Sequence, residues 1–119
     1  MILRRWRGAV RAADAEAYLR HQDETGVRDY RATQGNLGAL VLSRQRDDGL
    51  VEVEAVSLWR SMDDVRRFAG DEPERAVFYP GDDTLLAEKD LHVDHFDVAG
   101  VDLDARLLAP PDQAGGAGS

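Results

Sequence analysis

A ten-residue alternating run joined to a second strand-like run by a tight turn puts an antiparallel hairpin in the middle of this chain. Residues 50–59 place Val51, Val53, Ala55, Ser57 and Trp59 on one face and Leu50, Glu52, Glu54, Val56 and Leu58 on the other. Residues 37–46 read as the partner strand, and Asp47-Asp48-Gly49 between them has the acidic-glycine signature of a hairpin turn. Along the second face of residues 50–59 the side chains change from Glu to Val and Leu, so the strand passes from a wet edge into cover.

The flanking segments must supply the helices that bury the apolar face. Residues 13–31 predict a helix with Ala15, Tyr18, Leu19, Gln22, Gly26 and Tyr30 near one stripe. Asp14 and Glu16 near its start and Arg28 and Arg31 near its end suit the macrodipole. Gly26 inside it costs about 1 kcal/mol relative to Ala, which a close packing contact or a break would explain. Before this helix, residues 2–9 read as a strand with Ile2, Arg4 and Trp6 on one face. Gln34-Gly35-Asn36 is a turn. Ser61, with Asp64 three residues on, forms a capping-box-like start to a second helix whose stripe is Met62, Val65, Phe68 and Ala69, with Gly70 at its C-cap. Residues 71–88 read as irregular, with short helical turns near Arg75-Ala76-Val77 and after Asp82, and residues 89–98 as a last strand. The order βαββαβ defines an α+β, ferredoxin-like domain over residues 1–103, an antiparallel sheet with helices on one face. Residues 104–119, ending in Pro, Gly and Ala without apolar pattern, read as a disordered tail. The uncovered sheet face predicts a homodimer.

Charge and composition narrow the function. A formal net charge of -8 argues against nucleic acid or an anionic membrane as partner, since both need a basic face. The absence of cysteine removes disulfides, thiolate metal sites and cysteine nucleophiles and fits a cytoplasmic protein. No apolar run approaches a membrane span, and the N-terminus lacks the apolar region of a signal peptide. Glycine-rich nucleotide loops and the Gly-x-Ser-x-Gly elbow are absent, and no spacing of His with carboxylates predicts a metal site.

Three segments carry a resemblance: Val56-Ser57-Leu58-Trp59-Arg60-Ser61 followed by Val65-Arg66-Arg67-Phe68-Ala69-Gly70-Asp71; Ala76-Val77-Phe78-Tyr79-Pro80-Gly81-Asp82-Asp83; and His92-Val93-Asp94-His95-Phe96-Asp97-Val98. In order and spacing they resemble the antibiotic biosynthesis monooxygenase family, a branch of the dimeric α/β-barrel superfamily, over about residues 2–98. The resemblance implies a homodimeric oxidoreductase that needs no cofactor and acts on an aromatic or polyketide-like small molecule. The superfamily also holds cyclases, isomerases, haem degraders and non-catalytic binders. Of the haem-degrading set (an Asn on the first strand, a Trp ending the third, an iron-ligating His on the second helix), Trp59 alone is present. The cofactor-free oxygenases use a Trp, an Asn and Tyr or Arg groups; Trp59 corresponds to the first, and Asn36 lies near the start of the second strand.

Within that reading His95 is the candidate base, because imidazole titrates near neutral pH and can take a proton from a phenol or enol. The alternative is a core or interface histidine bonded to a carboxylate. Trp59 is either an aromatic wall for a flat substrate or a core aromatic at the sheet–helix junction. Trp6, Tyr18, Tyr30 and Phe68 either complete the pocket or belong to the core. Tyr79, in the Tyr79-Pro80-Gly81-Asp82 segment, sits in either a lid or an ordinary turn. His21, flanked by Arg20, Gln22 and Asp23, reads as solvent-exposed.

Overall fold

The computed structural model describes residues 1–108. Five antiparallel strands form one sheet: β1 (Ile2–Arg11), β2 (Asn36–Gln45), β3 (Leu50–Trp59), β4 (Leu86–Lys89) and β5 (Asp94–Asp97). The order is β2-β3-β1-β4, with β5 also paired to β1, the ferredoxin-like arrangement. The hairpin has the predicted register-setting turn: Gly49 N–H donates to Arg46 O at 3.2 Å, Gly49 takes a φ of 86°, and Asp48 Oδ1 accepts from Leu50 N–H at 3.1 Å.

The first helix is a composite. A 3₁₀ turn (Ala12–Asp14) leads into α1 (Ala15–Gln22), a π turn (Asp23–Val27) and α2 (Arg28–Ala32). Gly26 sits in the π turn, and a Cβ there would lie 2.9 Å from Gln22 Nε2. Both expected explanations of the glycine therefore hold: the helix breaks its α-ladder and a side chain packs against its backbone. Next along the chain, α3 (Met62–Ala69) is capped as predicted. Ser61 Oγ accepts from Asp64 N–H at 3.3 Å, and its own O–H donates to Asp64 Oδ2 at 3.1 Å.

The last strand differs from the single run expected over 89–98. β4 pairs with the Gly8–Val10 end of β1 and β5 with the Ile2–Arg5 end; Asp90 N–H still donates to Arg7 O at 3.0 Å, and residues 91–93 leave the ladder. Two contacts draw them out. Trp6 Nε1–H donates to Asp90 O at 2.8 Å, and residues 74–76 take over the pairing through Val93 N–H to Glu74 O at 2.8 Å and Ala76 N–H to Leu91 O at 2.9 Å. The predicted turn after Asp82 is α4 (Asp82–Leu85), whereas Arg75-Ala76-Val77 forms a bridge to His92 rather than a helical turn. Of the expected tail, Ala105–Leu108 forms a 3₁₀ turn, and residues 109–119 lie outside the described residues.

Among the described residues, α1 to α4 lie on one face of the sheet. Under them are two apolar clusters, one around Trp6, Val10, Tyr18, Val53 and Val93, the other around Tyr30, Trp59 and Val65 with Phe68. The opposite face leaves Leu40 61% and Leu42 46% exposed, with Phe96 at 45%. No helix among the described residues is long and apolar enough to cross a membrane.

Candidate functional site

Between the two clusters lies a small cavity bordered by Arg4, Trp6, Tyr18, Tyr30, Phe68, Tyr79 and Asp82, among others. Its volume is about 20 Å³, room for roughly one water molecule. A wider surface groove of about 260 Å³ lies beside it, bordered by Arg75, Ala76, Leu91 and His92, and Phe78 borders both spaces. Phe78 is thus common to both. It stands edge-on to Trp6 at 6.2 Å between centroids and carries the Lys89 ammonium 5.0 Å from its own ring centre.

Five of the candidate residues meet here: Trp6, Tyr18, Tyr30, Phe68 and Tyr79 all border the cavity. Trp59 lies behind it, fully buried, edge-on to Tyr30 at 6.1 Å and 5.7 Å from Phe68. Its indole N–H is spent on Ser57 Oγ at 2.8 Å. In this arrangement Trp59 braces two cavity residues and is itself core. Asn36 is also set back, its side-chain amide donating to Leu58 O at 3.2 Å at the start of β2.

Arg4, which the sequence does not mark as a site residue, brings a buried positive charge to the cavity wall. It is only 3% exposed. Its guanidinium donates to Pro73 O, to Arg75 O at 2.9 Å and toward His95 Nε2 at 3.1 Å. No carboxylate among the described residues forms an ion pair with it. Burial lowers its pKa, yet an arginine stays cationic in a folded protein. The signal was present in the sequence: a charged residue between Ile2 and Trp6 on an otherwise apolar strand face.

His95 stands opposite Arg4 in the β1–β5 ladder. Burial and the neighbouring guanidinium both lower its pKa, so the ring is neutral at pH 7. Arg4 can donate only to an unprotonated nitrogen, which puts the ring proton on Nδ1 and engages the Nε2 lone pair. His95 therefore reaches the cavity through Arg4.

Two other readings change. His21 is not a solvent-exposed side chain: its Nε2 lies 2.7 Å from Asp82 Oδ1 and most of the ring is covered. The cause is tertiary, because the 79–82 turn folds back onto a helix face that looks polar in sequence. Tyr79-Pro80-Gly81-Asp82 is a turn closed by its own carboxylate, with Tyr79 N–H donating to Asp82 Oδ2 at 2.7 Å. Tyr18, Tyr30 and Tyr79 all have raised pKa values, mainly through burial, so all three face the cavity as neutral phenols. Among the described residues no group of three His, Asp or Glu side chains converges to hold a metal ion.

The fold can now be set beside known proteins. No family model matches the sequence, and no curated protein matches it. Solved structures do. PA3566 from Pseudomonas aeruginosa matches with a TM-score of 0.55 at 20% identity, over 83% of this chain and 94% of that one. A proposed antibiotic biosynthesis monooxygenase from Deinococcus radiodurans gives 0.54 at 16% identity, over 87% of this chain and 97% of that one. A mutant of MhuD, with two manganese protoporphyrin IX molecules bound per active site, gives 0.53 at 16% identity over 87% and 99%. The chain thus has the fold of the antibiotic biosynthesis monooxygenase-like proteins. At these identities the likeness defines the fold, and the chemistry has to come from this chain's own residues.

Proposed function

We propose that the protein is a cofactor-independent monooxygenase that binds an acidic hydroxylated aromatic as its oxyanion against Arg4. The observation that carries this reading is a buried cation without a carboxylate partner at the wall of an aromatic-lined cavity. Such a cation lowers the free energy of a phenolate or enolate relative to the neutral form. An electron-rich anion of this kind passes electrons to dioxygen directly. In an anthrone, the CH₂ carbon loses two hydrogens and gains one oxygen atom, and the second oxygen leaves as water, so the four electrons balance. The protein has to bind, ionise and shield the substrate, and Trp6, Tyr30 and Phe68 supply the flat apolar walls. Room for a ring system comes from the adjacent groove once Phe78 swings aside and the two spaces merge.

Haem degradation, the activity of another branch of this fold, fits the residues poorly. α3 presents Met62, Asp63, Asp64, Val65, Arg66, Arg67, Phe68 and Ala69, with no imidazole for iron. His95 Nε2 is already engaged by Arg4.

The reading includes a homodimer joined through the outer sheet face, whose exposed Leu40, Leu42 and Phe96 form the kind of apolar patch that marks an interface. Oxygen uptake with a panel of anthrones and hydroquinones is the direct test, with quinone product identified and an anaerobic control. Oxygen-dependent quinone formation is expected. Turnover that persists without oxygen would instead favour a cyclase or isomerase, and tight binding without turnover a non-catalytic binder.

A further inference from the structure

Besides Arg4, the cavity is bordered by a second charged side chain, Asp82, which is 5% exposed. The two do not form an ion pair with each other, although each is nearly fully withdrawn from water. Buried opposite charges ordinarily pair, because each costs several kcal/mol to desolvate. Here each is satisfied elsewhere. Three of the five N–H donors of Arg4 go to Pro73 O, Arg75 O and His95, leaving two without a protein partner among the described residues. Asp82 accepts from Tyr79 N–H and lies against His21 Nε2, both at 2.7 Å, which occupies two of about four acceptor positions on a carboxylate. The cavity is thus bordered by one side chain that can only donate and by a carboxylate that can only accept.

We infer that Asp82, held in place by His21, accepts a hydrogen bond from a second, un-ionised hydroxyl of the ligand, so that the protein selects aromatics carrying two hydroxyl groups. This inference rests on the proposed binding of an aromatic oxyanion at Arg4 and adds the group at Asp82. A carboxylate that only accepts favours an O–H at its position. It disfavours an ether, a ketone or a second anion, which would leave it facing a lone pair. The remaining titratable groups around the cavity are Tyr18 from α1, Tyr30 from α2 and Tyr79 beside the carboxylate, all neutral and none able to replace a charged acceptor. Asp82 would touch the ligand; His21 is a positioning residue.

Isothermal titration of the full chain with naphthalenediol isomers and their monomethyl ethers tests this assignment. At least one diol is expected to bind wild type about tenfold or more tightly than its ether, in line with sites that reject analogues lacking a recognised hydroxyl. Asp82→Asn should reduce that ratio below about threefold while binding the ether as wild type does. His21→Gln should lower the ratio part of the way, a change in selectivity that a merely structural brace would not produce. Equal affinity of every diol and its ether for wild type, or an unchanged ratio in Asp82→Asn, would overturn the role of Asp82 and leave the Arg4 reading standing. Failure of diols and ethers alike to bind wild type would overturn both. Should Asp82→Asn fail to fold, the wild-type ratio and His21→Gln decide.

Discussion

Arg4 and Arg5 are neighbours on β1 that point to opposite faces of the sheet, and they live under different rules. Arg4 is sealed beneath the helices and held by backbone carbonyls of the 73–75 segment and by His95. Arg5 lies on the open face. It pairs with Asp94 at 3.0 Å and sits 5.2 Å over the Phe96 ring, and its Nε is buried without a hydrogen-bond partner. Carbonyls fix a guanidinium without cancelling its charge, and Arg4 has no ion-pair partner among the described residues, Glu74 acting on it only from farther off. The Arg5 charge is largely met by Asp94 and Glu54. Such part-exposed pairs are worth about 0–1 kcal/mol. One face of the sheet holds a buried charge, the other exposed apolar area.

That contrast can be broken most severely at Arg4 itself. Arg4→Gln is expected to lower kcat/KM for oxygen-dependent turnover by about 100-fold or more, the loss typical of removing one group that stabilises a developing oxyanion, while Arg5→Gln changes it little. Equal losses in both variants would remove the distinction. Next in size, Trp59→Ala should destabilise the fold by about 3–5 kcal/mol in urea unfolding, because it removes the support of Tyr30 and Phe68. Trp59→Phe should retain most of the turnover. A Trp59→Phe variant that folds like wild type but loses turnover would instead place the indole in the chemistry.

The outer face supplies the third test. Leu40→Asp should weaken a homodimer at least tenfold by analytical ultracentrifugation, since covering one leucine contributes about 1.5–3 kcal/mol and an uncompensated carboxylate reverses the sign. A wild-type monomer at micromolar concentration would remove the dimer from the account. The smallest expected effect is a pH dependence from His95. Its pKa is lowered in the folded protein, so the unfolded chain binds the proton more readily. Stability is then full above the ordinary imidazole value of 6.5 and falls as the pH drops below it, until the folded ring is protonated too. Urea midpoints of wild type and His95→Gln should diverge below that value and run parallel above it.

Much of the frame is legible in the residues. The alternation of 50–59, the Asp47-Asp48-Gly49 turn and the Ser61 cap each encode their structure within a few residues, and each forms as read. The misreadings share a cause. Residues 89–98 alternate like one strand, yet Trp6 binds Asp90 O and residues 74–76 take over the centre of the run. His21 looks solvated between polar neighbours until the 79–82 turn packs against it. Trp59, which the sequence allows as either an aromatic wall or a core aromatic, is enclosed by Ser57, Tyr30 and Phe68.

By itself, then, the sequence determined the order of elements through the second helix, the hairpin turn and the Ser61 and Gly70 caps, because periodicity, turn chemistry and capping act over short stretches of chain. Only the tertiary structure decided where the charges of the site meet. Arg4 finds its carbonyl at Pro73, 69 residues away, and Asp82 finds His21 at a separation of 61. Those meetings depend on the path of the irregular 71–85 segment, which follows from what packs beneath it and carries no period of its own to read.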